Sequence, residues 1–323
     1  MAEKALDIVL LLALPASGKS EVRRYLKSVT PAQCRADFHM GETVQLDDFP
    51  YVHLMRRIDD ELEAVEAPRV FFQAGDRPFQ NPLDWGTLIE LVNEDYADLV
   101  ARKVAKPASA AALLFDRLDA ASAAVGAPRR LASLPETTRS VVAEKLEREA
   151  RELLDEKHAG YPDSLEGKTM VIEFARGGPD GSTCPLNPPF GYEYSLGRLA
   201  PEILEKASIL YVWVTPEESR RKNFARTDPN DPGSILHHGV PLSVMLGDYG
   251  CDDLAYLESV SERPGTVTVK VGGRTFHLPV GRFDNRIDKT SFLRNERADW
   301  TSDEVAGVHA GLKGALDHIA ASR

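Results

Sequence analysis

The sequence has few cysteines, no long hydrophobic run and no excess of basic residues, and each shortage excludes a class of protein. Its 323 residues contain three widely spaced cysteines without a Cys-x-x-Cys pair, so neither a zinc site nor a disulfide framework is indicated. A reducing compartment is the simplest interpretation, and we expect a cytoplasmic protein. The apolar run at residues 8–14 is too short to span a bilayer, and no signal-peptide cleavage site accompanies it. We therefore expect a soluble chain without a membrane partner.

The charge balance is acidic, with a formal net charge of −11. This disfavours nucleic acid as a partner, because duplex binding requires a basic surface. It does not exclude a phosphate-bearing ligand, since backbone amides and one lysine can hold phosphates on an acidic protein. Hydrophobic residues make up 43% of the chain, which is enough for a large core and argues against disorder.

Apolar segments typical of strands alternate with segments of helical periodicity. The strand candidates are residues 8–14, 44–46, 70–72, 169–174 and 209–214, and the helix candidates are 20–28, 84–102, 136–158 and 302–321. Thr301 and Glu304 form a capping-box pattern before the last helix. This alternation predicts a three-layer α/β/α fold with a mainly parallel sheet in a single domain.

Three segments depart from the alternation. The Ala-, Leu-, Arg- and Glu-rich stretch at about 105–165 predicts a helical insertion. Two glycines separate apolar runs within residues 266–279, which is typical of a β-hairpin because glycine supplies the positive φ of a primed turn. Residues 217–250 read as a basic helix followed by a mobile loop that closes over substrate.

The strongest motif is Ala-Leu-Pro-Ala-Ser-Gly-Lys-Ser at residues 13–20. It fits the phosphate-loop pattern GxxxxGK[ST] at every fixed position except the first, where Ala13 replaces glycine. Its place between a buried strand and a helix is the context that the motif requires, and the alternative is a chance Gly-Lys-Ser in an ordinary turn. The pattern predicts a P-loop NTPase fold that binds ATP and Mg²⁺. The expected nucleotide-binding residues are Ala13, Pro15, Ala16, Ser17, Gly18, Lys19 and Ser20.

Within this motif, two side chains have distinct predicted tasks. Lys19 is expected to reach the β- and γ-phosphates and to act in catalysis, and the Ser20 hydroxyl is expected to bind Mg²⁺. Glu173, at the end of a strand, is the second predicted metal ligand, because carboxyl ends of parallel strands share one edge with the phosphate loop. Its alternative is a purely structural role.

Asp47 and Asp48 follow a short apolar patch, where an acid could accept the proton of an acceptor hydroxyl. The alternative for this pair is a solvated turn or a helix N-cap. Position also makes Asp48, Arg176 and Tyr192 candidate acceptor contacts.

Gly-Lys-Ser, followed by Leu-Asp-Asp-Phe-Pro-Tyr and then Asp-Arg-Pro-Phe-Gln-Asn-Pro-Leu-Asp-Trp, resembles the uridine kinase and phosphoribulokinase branch of P-loop kinases. The resemblance implies that Asp47 is the catalytic base, that Asp76 contacts acceptor hydroxyls, and that Glu173 is associated with the metal. It covers roughly residues 8–85 and 169–226. The helical insertion and the hairpin have no counterpart in it, so the acceptor need not be uridine or ribulose phosphate.

The segment after residue 214 carries four cations within residues 220–226. Arginine suits a lid over phosphates, because its planar fork remains charged and stabilises the transferring phosphoryl group. Arg221 and Arg226 are the predicted catalytic arginines. The alternative is a solvated helix face paired with Glu217 and Glu218. His237 and His238 are a further metal-ligand candidate, although such a pair is more often polar loop.

These patterns predict a kinase that transfers the γ-phosphate of ATP to a hydroxyl of a nucleoside, sugar or related metabolite. The alternative is a P-loop NTPase that acts as a regulatory switch without an acceptor. No Asn-Lys-x-Asp element of GTPases occurs in the sequence. The third hypothesis, a binding module with a decayed site, conflicts with the intact Gly18-Lys19-Ser20. The sequence also leaves open whether the chain forms a homodimer.

Overall fold

A computed structural model describes residues 5–226 and 239–322, which fold around a six-stranded β-sheet. The strands are β1 (Ile8–Leu12), β2 (Glu42–Asp47), β3 (Lys168–Phe174), β4 (Ala207–Trp213), β5 (Thr266–Val271) and β6 (Arg274–Asp284). Their spatial order is β2-β3-β1-β4-β6-β5. All neighbouring pairs are parallel except β5 and β6. The predicted α/β class with a mainly parallel sheet is therefore confirmed.

Twelve α-helices lie in the described ranges. They are α1 (Lys19–Ser28), α2 (Pro31–Phe38), α3 (Phe49–Ala64), α4 (Asp84–Ala101), α5 (Ala110–Ala124), α6 (Glu136–Ala159), α7 (Gly191–Leu196), α8 (Pro201–Leu204), α9 (Pro216–Arg226), α10 (Leu242–Gly247), α11 (Leu254–Ser259) and α12 (Ser302–Ala321). The predicted capping box is present at the start of α12, where Thr301 and Glu304 bond reciprocally. None of these helices is both long and apolar enough to cross a membrane.

Helices cover both faces of the sheet, as an arrangement of three layers requires. In β1, alternate side chains enter two different apolar clusters, one containing Leu10 and the other containing Leu11. The first cluster includes residues of α4, α7 and α11, and the second includes residues of α1, α2 and α12. Burial on both faces explains why β1 reads as a continuous apolar run.

The segment predicted as a helical insertion contains α5 and α6. Phe115 of α5 and Leu146 of α6 are fully buried in a third apolar cluster, which also holds side chains of α3 and α4. Leu14 and Val214, which follow β1 and β4, belong to the same cluster. The insertion therefore packs directly against the end of the sheet that carries the β1–α1 loop.

Two local predictions differ from the structure. Residues 70–72 form no strand and contribute only an isolated bridge between Phe72 and Phe79, because the amides of Val70 and Phe72 each donate to the Asp59 carboxylate at 2.7 Å. The hairpin extends beyond the predicted residue 279, since the second half of β6 continues to Asp284 and pairs in parallel with β4. The hairpin is thus a continuation of the main sheet.

Candidate functional site

The loop between β1 and α1 has an unusual backbone. Ala16 has φ 55° and Gly18 has φ 107°, and both angles lie in the left-handed region. A Cβ atom on Gly18 would lie 2.5 Å from Thr290 Oγ1 and 2.9 Å from Asn285 Nδ2. Glycine is therefore required at position 18 for its backbone angle and for the space that it leaves.

Side chains from distant parts of the chain hold two carbonyl groups of this loop. Ser219 Oγ donates to Pro15 O, and Asn285 Nδ2 donates to Ser17 O, both at 2.7 Å. By contrast, the amides at positions 16, 17 and 18 have no hydrogen-bond partner within residues 5–226 and 239–322. Successive free amides at the start of a helix form a concave site for an anion.

The Lys19 side chain lies across the loop that precedes it. Its Nζ donates to Ala13 O at 3.1 Å and to Leu14 O at 3.3 Å. Burial lowers the pKa of Lys19, while the carboxylates of Glu173 and Asp47 act in the opposite direction. The ammonium group therefore lies between the loop and the two acids.

Asp47 and Glu173 are neighbours because they occupy matching positions of β2 and β3 in the sheet. Arg23 of α1 links them, with Nη1 2.9 Å from Glu173 Oε2 and 3.4 Å from Asp47 Oδ2. Burial and the nearby Asp47 carboxylate raise the pKa of Glu173 to about 7. The positive charges of Lys19 and Arg23 act in the opposite direction on the pKa of this carboxyl group.

The donor set fits a magnesium ion that also binds phosphate. Glu173 Oε2 is buried, and its contact with Arg23 Nη1 at 2.9 Å is an ion pair without hydrogen-bond geometry. No group of three or more His, Cys, Asp or Glu side chains suited to a metal occurs in the described part of the chain. Mg²⁺ bound to a nucleotide needs only one or two protein oxygens, because phosphate and water supply the rest. Ser20 and Glu173 could supply them, whereas His237 and His238 lie outside the described residues.

Asp48 and Arg176 form a buried ion pair, with Asp48 Oδ2 2.6 Å from Arg176 Nη1. The guanidinium also donates to Ser195 Oγ and to Trp85 O. Asp48 is only 5% exposed and Arg176 only 2%. Both were predicted to bind the acceptor, but each is already occupied by the other, so their position favours a structural role.

Tyr192 and Asp76, the other predicted acceptor contacts, lie in opposite environments. Tyr192 is 0% exposed, and its hydroxyl accepts a hydrogen bond from the Arg176 amide. The Asp76 side chain is 73% exposed, and its ion partner is the adjacent Arg77 at 3.8 Å. Burial counts against Tyr192 as an acceptor contact, and no contact joins Asp76 to Lys19 or Glu173 in the described part of the chain.

The two predicted lid arginines of α9 also differ. Arg221 is well exposed and pairs with Glu218 at 2.7 Å, which is the alternative that the sequence left open. Arg226 is half-buried, and desolvation lowers its pKa while Glu21 and Glu173 oppose that shift. Of the two predicted arginines, Arg226 is therefore the one that interacts with the acids, and the exposed position of Arg221 does not support its predicted role.

Several residues of the site were not predicted from the sequence. Arg23 had a recognisable signal, because it follows Lys19 by one helical turn and lies on the same face of α1. Asn285 and Ser219 support the loop from more than 200 positions away, and nothing in the local pattern marks them. Lys222, a buried residue of α9, lies 2.9 Å from Asp288 and ties α9 to the segment after β6.

Asp47 and Glu173 lie at the carboxyl ends of β2 and β3, and the loop that precedes Lys19 follows the carboxyl end of β1. The strands β3 and β4 lie on opposite sides of β1. Successive strands are therefore added first to one side of β1 and then to the other. Open α/β sheets bind ligands at such a point. No protein-family model matches the sequence, and comparisons with curated proteins and with solved structures gave no match.

Proposed function

We propose that this chain is a P-loop phosphotransferase that moves the γ-phosphate of ATP to a hydroxyl group of a small molecule. The observation that carries the proposal is the facing arrangement of free loop amides, Lys19 and two strand-end carboxylates. Free amides and a lysine are suited to phosphate oxygens. The carboxylates of Asp47 and Glu173 are suited to a metal and to an acceptor proton.

In the proposed complex, the amides at positions 16–18 hold the phosphates. Lys19 Nζ exchanges the carbonyls of Ala13 and Leu14 for β- and γ-phosphate oxygens. Ser20 and Glu173 would hold Mg²⁺, which would neutralise charge on the phosphates. Arg226 approaches from α9 and stabilises the negative charge on the transferring group.

Asp47 is the proposed general base. One carboxylate oxygen accepts a hydrogen bond from the Phe49 amide at 2.8 Å, and its side chain remains 27% exposed, so an acceptor can reach it. The acceptor hydroxyl gives its proton to Asp47 while its oxygen bonds to the γ-phosphorus. The bond between that phosphorus and the bridging oxygen of ADP breaks.

A regulatory NTPase is the second candidate function. One observation favours it. The side chains of Asp48, Arg176 and Tyr192 contact other groups of the protein, so few of their hydrogen-bonding groups remain for an acceptor. In that case water replaces the acceptor, and inorganic phosphate is the product.

The test supplies γ-labelled ATP and Mg²⁺ together with a panel of nucleosides and sugars. Label in an organic product supports the kinase, and acceptor-independent phosphate release supports the switch. Asp47→Asn should reduce transfer on the order of 10²-fold with ATP affinity nearly intact, while Lys19→Ala should weaken nucleotide binding or transfer directly. The exposed Asp116→Asn is the matched control. Unchanged turnover in Asp47→Asn would reject Asp47 as the base, and absence of ATP binding would reject the proposal.

A further inference from the structure

We propose that Arg23 controls metal binding at this site, because its guanidinium competes with Mg²⁺ for Glu173 and so weakens the binding of free metal. The inference rests on the proposed phosphotransferase function and concerns how the metal of that function is admitted. Neither the phosphate-loop motif nor the resemblance to kinases involves Arg23.

The guanidinium of Arg23 lies between two carboxylates of neighbouring strands. Its Nη1 is 2.9 Å from Glu173 Oε2 and 3.4 Å from Asp47 Oδ2. The two acids are neighbours because Asp47 and Glu173 are paired in the register of β2 and β3. Carboxylate oxygens around one positive charge are also what a hard divalent cation requires. The guanidinium therefore lies where a cation shared by the two acids would lie.

The two contacts of Arg23 differ in kind. The contact with Asp47 has the geometry of a hydrogen bond, whereas the shorter contact with Glu173 does not. Glu173 is only 8% exposed, and a buried carboxylate oxygen that accepts no hydrogen bond is costly. A metal can use the lone pairs that Arg23 leaves unused. The contact with Glu173 is thus the one that a metal would replace, while Arg23 keeps its hydrogen bond to Asp47.

The helix that carries Arg23 is fixed by contacts with the segment after β6. Arg294 Nε lies 2.6 Å from Glu21 Oε1, and Arg24 Nη1 donates to Arg294 O at 2.9 Å. Val22 of the same turn is fully buried. Because α1 is held in this way, Arg23 can leave Glu173 only by rotation of its own side chain. That side chain is 25% exposed, so it has access to solvent on one side.

The charges of α1 oppose a metal that arrives without phosphate. A free divalent ion would approach Glu173 against the positive charges of Arg23 and of Lys19, which precedes it by one helical turn. At separations of a few ångströms, repulsion by a unit charge near a protein surface changes an affinity about tenfold or more. A nucleotide brings phosphate charges and oxygens that offset this repulsion. Loss of the charge at position 23 should therefore strengthen the binding of free metal.

The test is a titration of the full chain with MnCl₂ in the absence of nucleotide, with free Mn²⁺ measured by electron paramagnetic resonance. Mn²⁺ is a suitable probe because it takes the same oxygen ligands as Mg²⁺. We expect Arg23→Met to bind Mn²⁺ about 10- to 100-fold more tightly than the wild type. Arg23→Gln, a second neutral variant, should behave in the same way. Arg23→Lys retains the charge and should stay within about threefold of the wild type.

Two controls separate competition at Glu173 from a general effect of charge. Lys27→Met removes one positive charge from an exposed position of the same helix, and it should leave the Mn²⁺ affinity unchanged. Adding Glu173→Gln to Arg23→Met removes the proposed ligand, and it should return the affinity to that of the wild type. A purely structural role of Arg23 predicts no gain of metal affinity in any variant.

The proposal is overturned if the two neutral variants bind Mn²⁺ no more tightly than the wild type. It is also overturned if Lys27→Met shows an equal gain, or if the gain persists without Glu173. Because the titration needs no ATP, these results are separate from a failure of the proposed function, which the γ-label assay detects.

Discussion

The two adjacent aspartates after β2 should differ sharply in their contribution to stability. Asp48 and Arg176 are both almost fully buried and lie 2.6 Å apart. Removing one member of such a pair leaves an uncompensated buried charge, which costs about 3–5 kcal/mol. Asp47 is partly exposed, and its loss removes a surface ion pair and one hydrogen bond to an amide, together about 1 kcal/mol. Asp48→Ala should therefore lower the free energy of unfolding by about 2–4 kcal/mol more than Asp47→Ala.

Urea unfolding followed by circular dichroism measures this difference. The dependence of the unfolding free energy on urea concentration should be equal in all variants, so that their midpoints can be compared. A double-mutant cycle with Arg176→Met should give a coupling of at least about 1.5 kcal/mol, because the double variant removes both charges. The transfer assay should show the reverse order, with Asp47→Asn the more damaging to catalysis. If the two alanine variants agree within about 0.5 kcal/mol, the assignment of Asp48 to structure and Asp47 to chemistry is refuted.

Two further predictions concern the lid and the dependence on pH. Arg226→Ala should reduce phosphate transfer on the order of 10²-fold or more in the γ-label assay. Arg221→Ala, on the exposed face of α9, should leave transfer within about twofold of the wild-type rate. Equal losses in the two variants would contradict the orientation of α9. For Asp248, the buried residue that follows α10, the folded pKa of about 7 lies above the ordinary aspartate value of 3.8, so the folded state binds the extra proton and stability falls as pH rises from about 4 to about 7. Urea midpoints at pH 5 and pH 8 should show this fall in the wild type and a smaller fall in Asp248→Asn, at most about 1.4 kcal/mol per pH unit for one group. A fall of the same size in both would contradict the burial of that carboxylate.

Local patterns were sufficient for much of the fold. The continuous apolar run of β1, the periodicity of α4, α6 and α12, and the capping residues Thr301 and Glu304 depend on short-range chemistry and are visible in the sequence. Residues 70–72 have the composition of a strand, but the Asp59 carboxylate binds their amides instead. The amphipathic helix α3 was missed, although its apolar spacing is present directly after Asp48.

The sequence could indicate those residues of the candidate site that lie at strand ends. It could not indicate those whose environment depends on pairing with a distant part of the chain. Lys19, Asp47 and Glu173 lie together because parallel strands end at one edge of the sheet, which is a general rule. The pairing of Asp48 with Arg176 joins residues 128 positions apart. No local pattern in the sequence indicates that a charged side chain will pair with another side chain of the protein.

The support that Asn285 and Ser219 give to the β1–α1 loop has a consequence for biosynthesis. The side chain that fixes Ser17 O is made more than 260 residues after the loop itself. Until then, a nascent fragment lacks this support for the loop, however well β1 and α1 have formed. A chain that terminates before Asn285 would therefore lack one of the two side chains that hold the loop, even if its first half were folded.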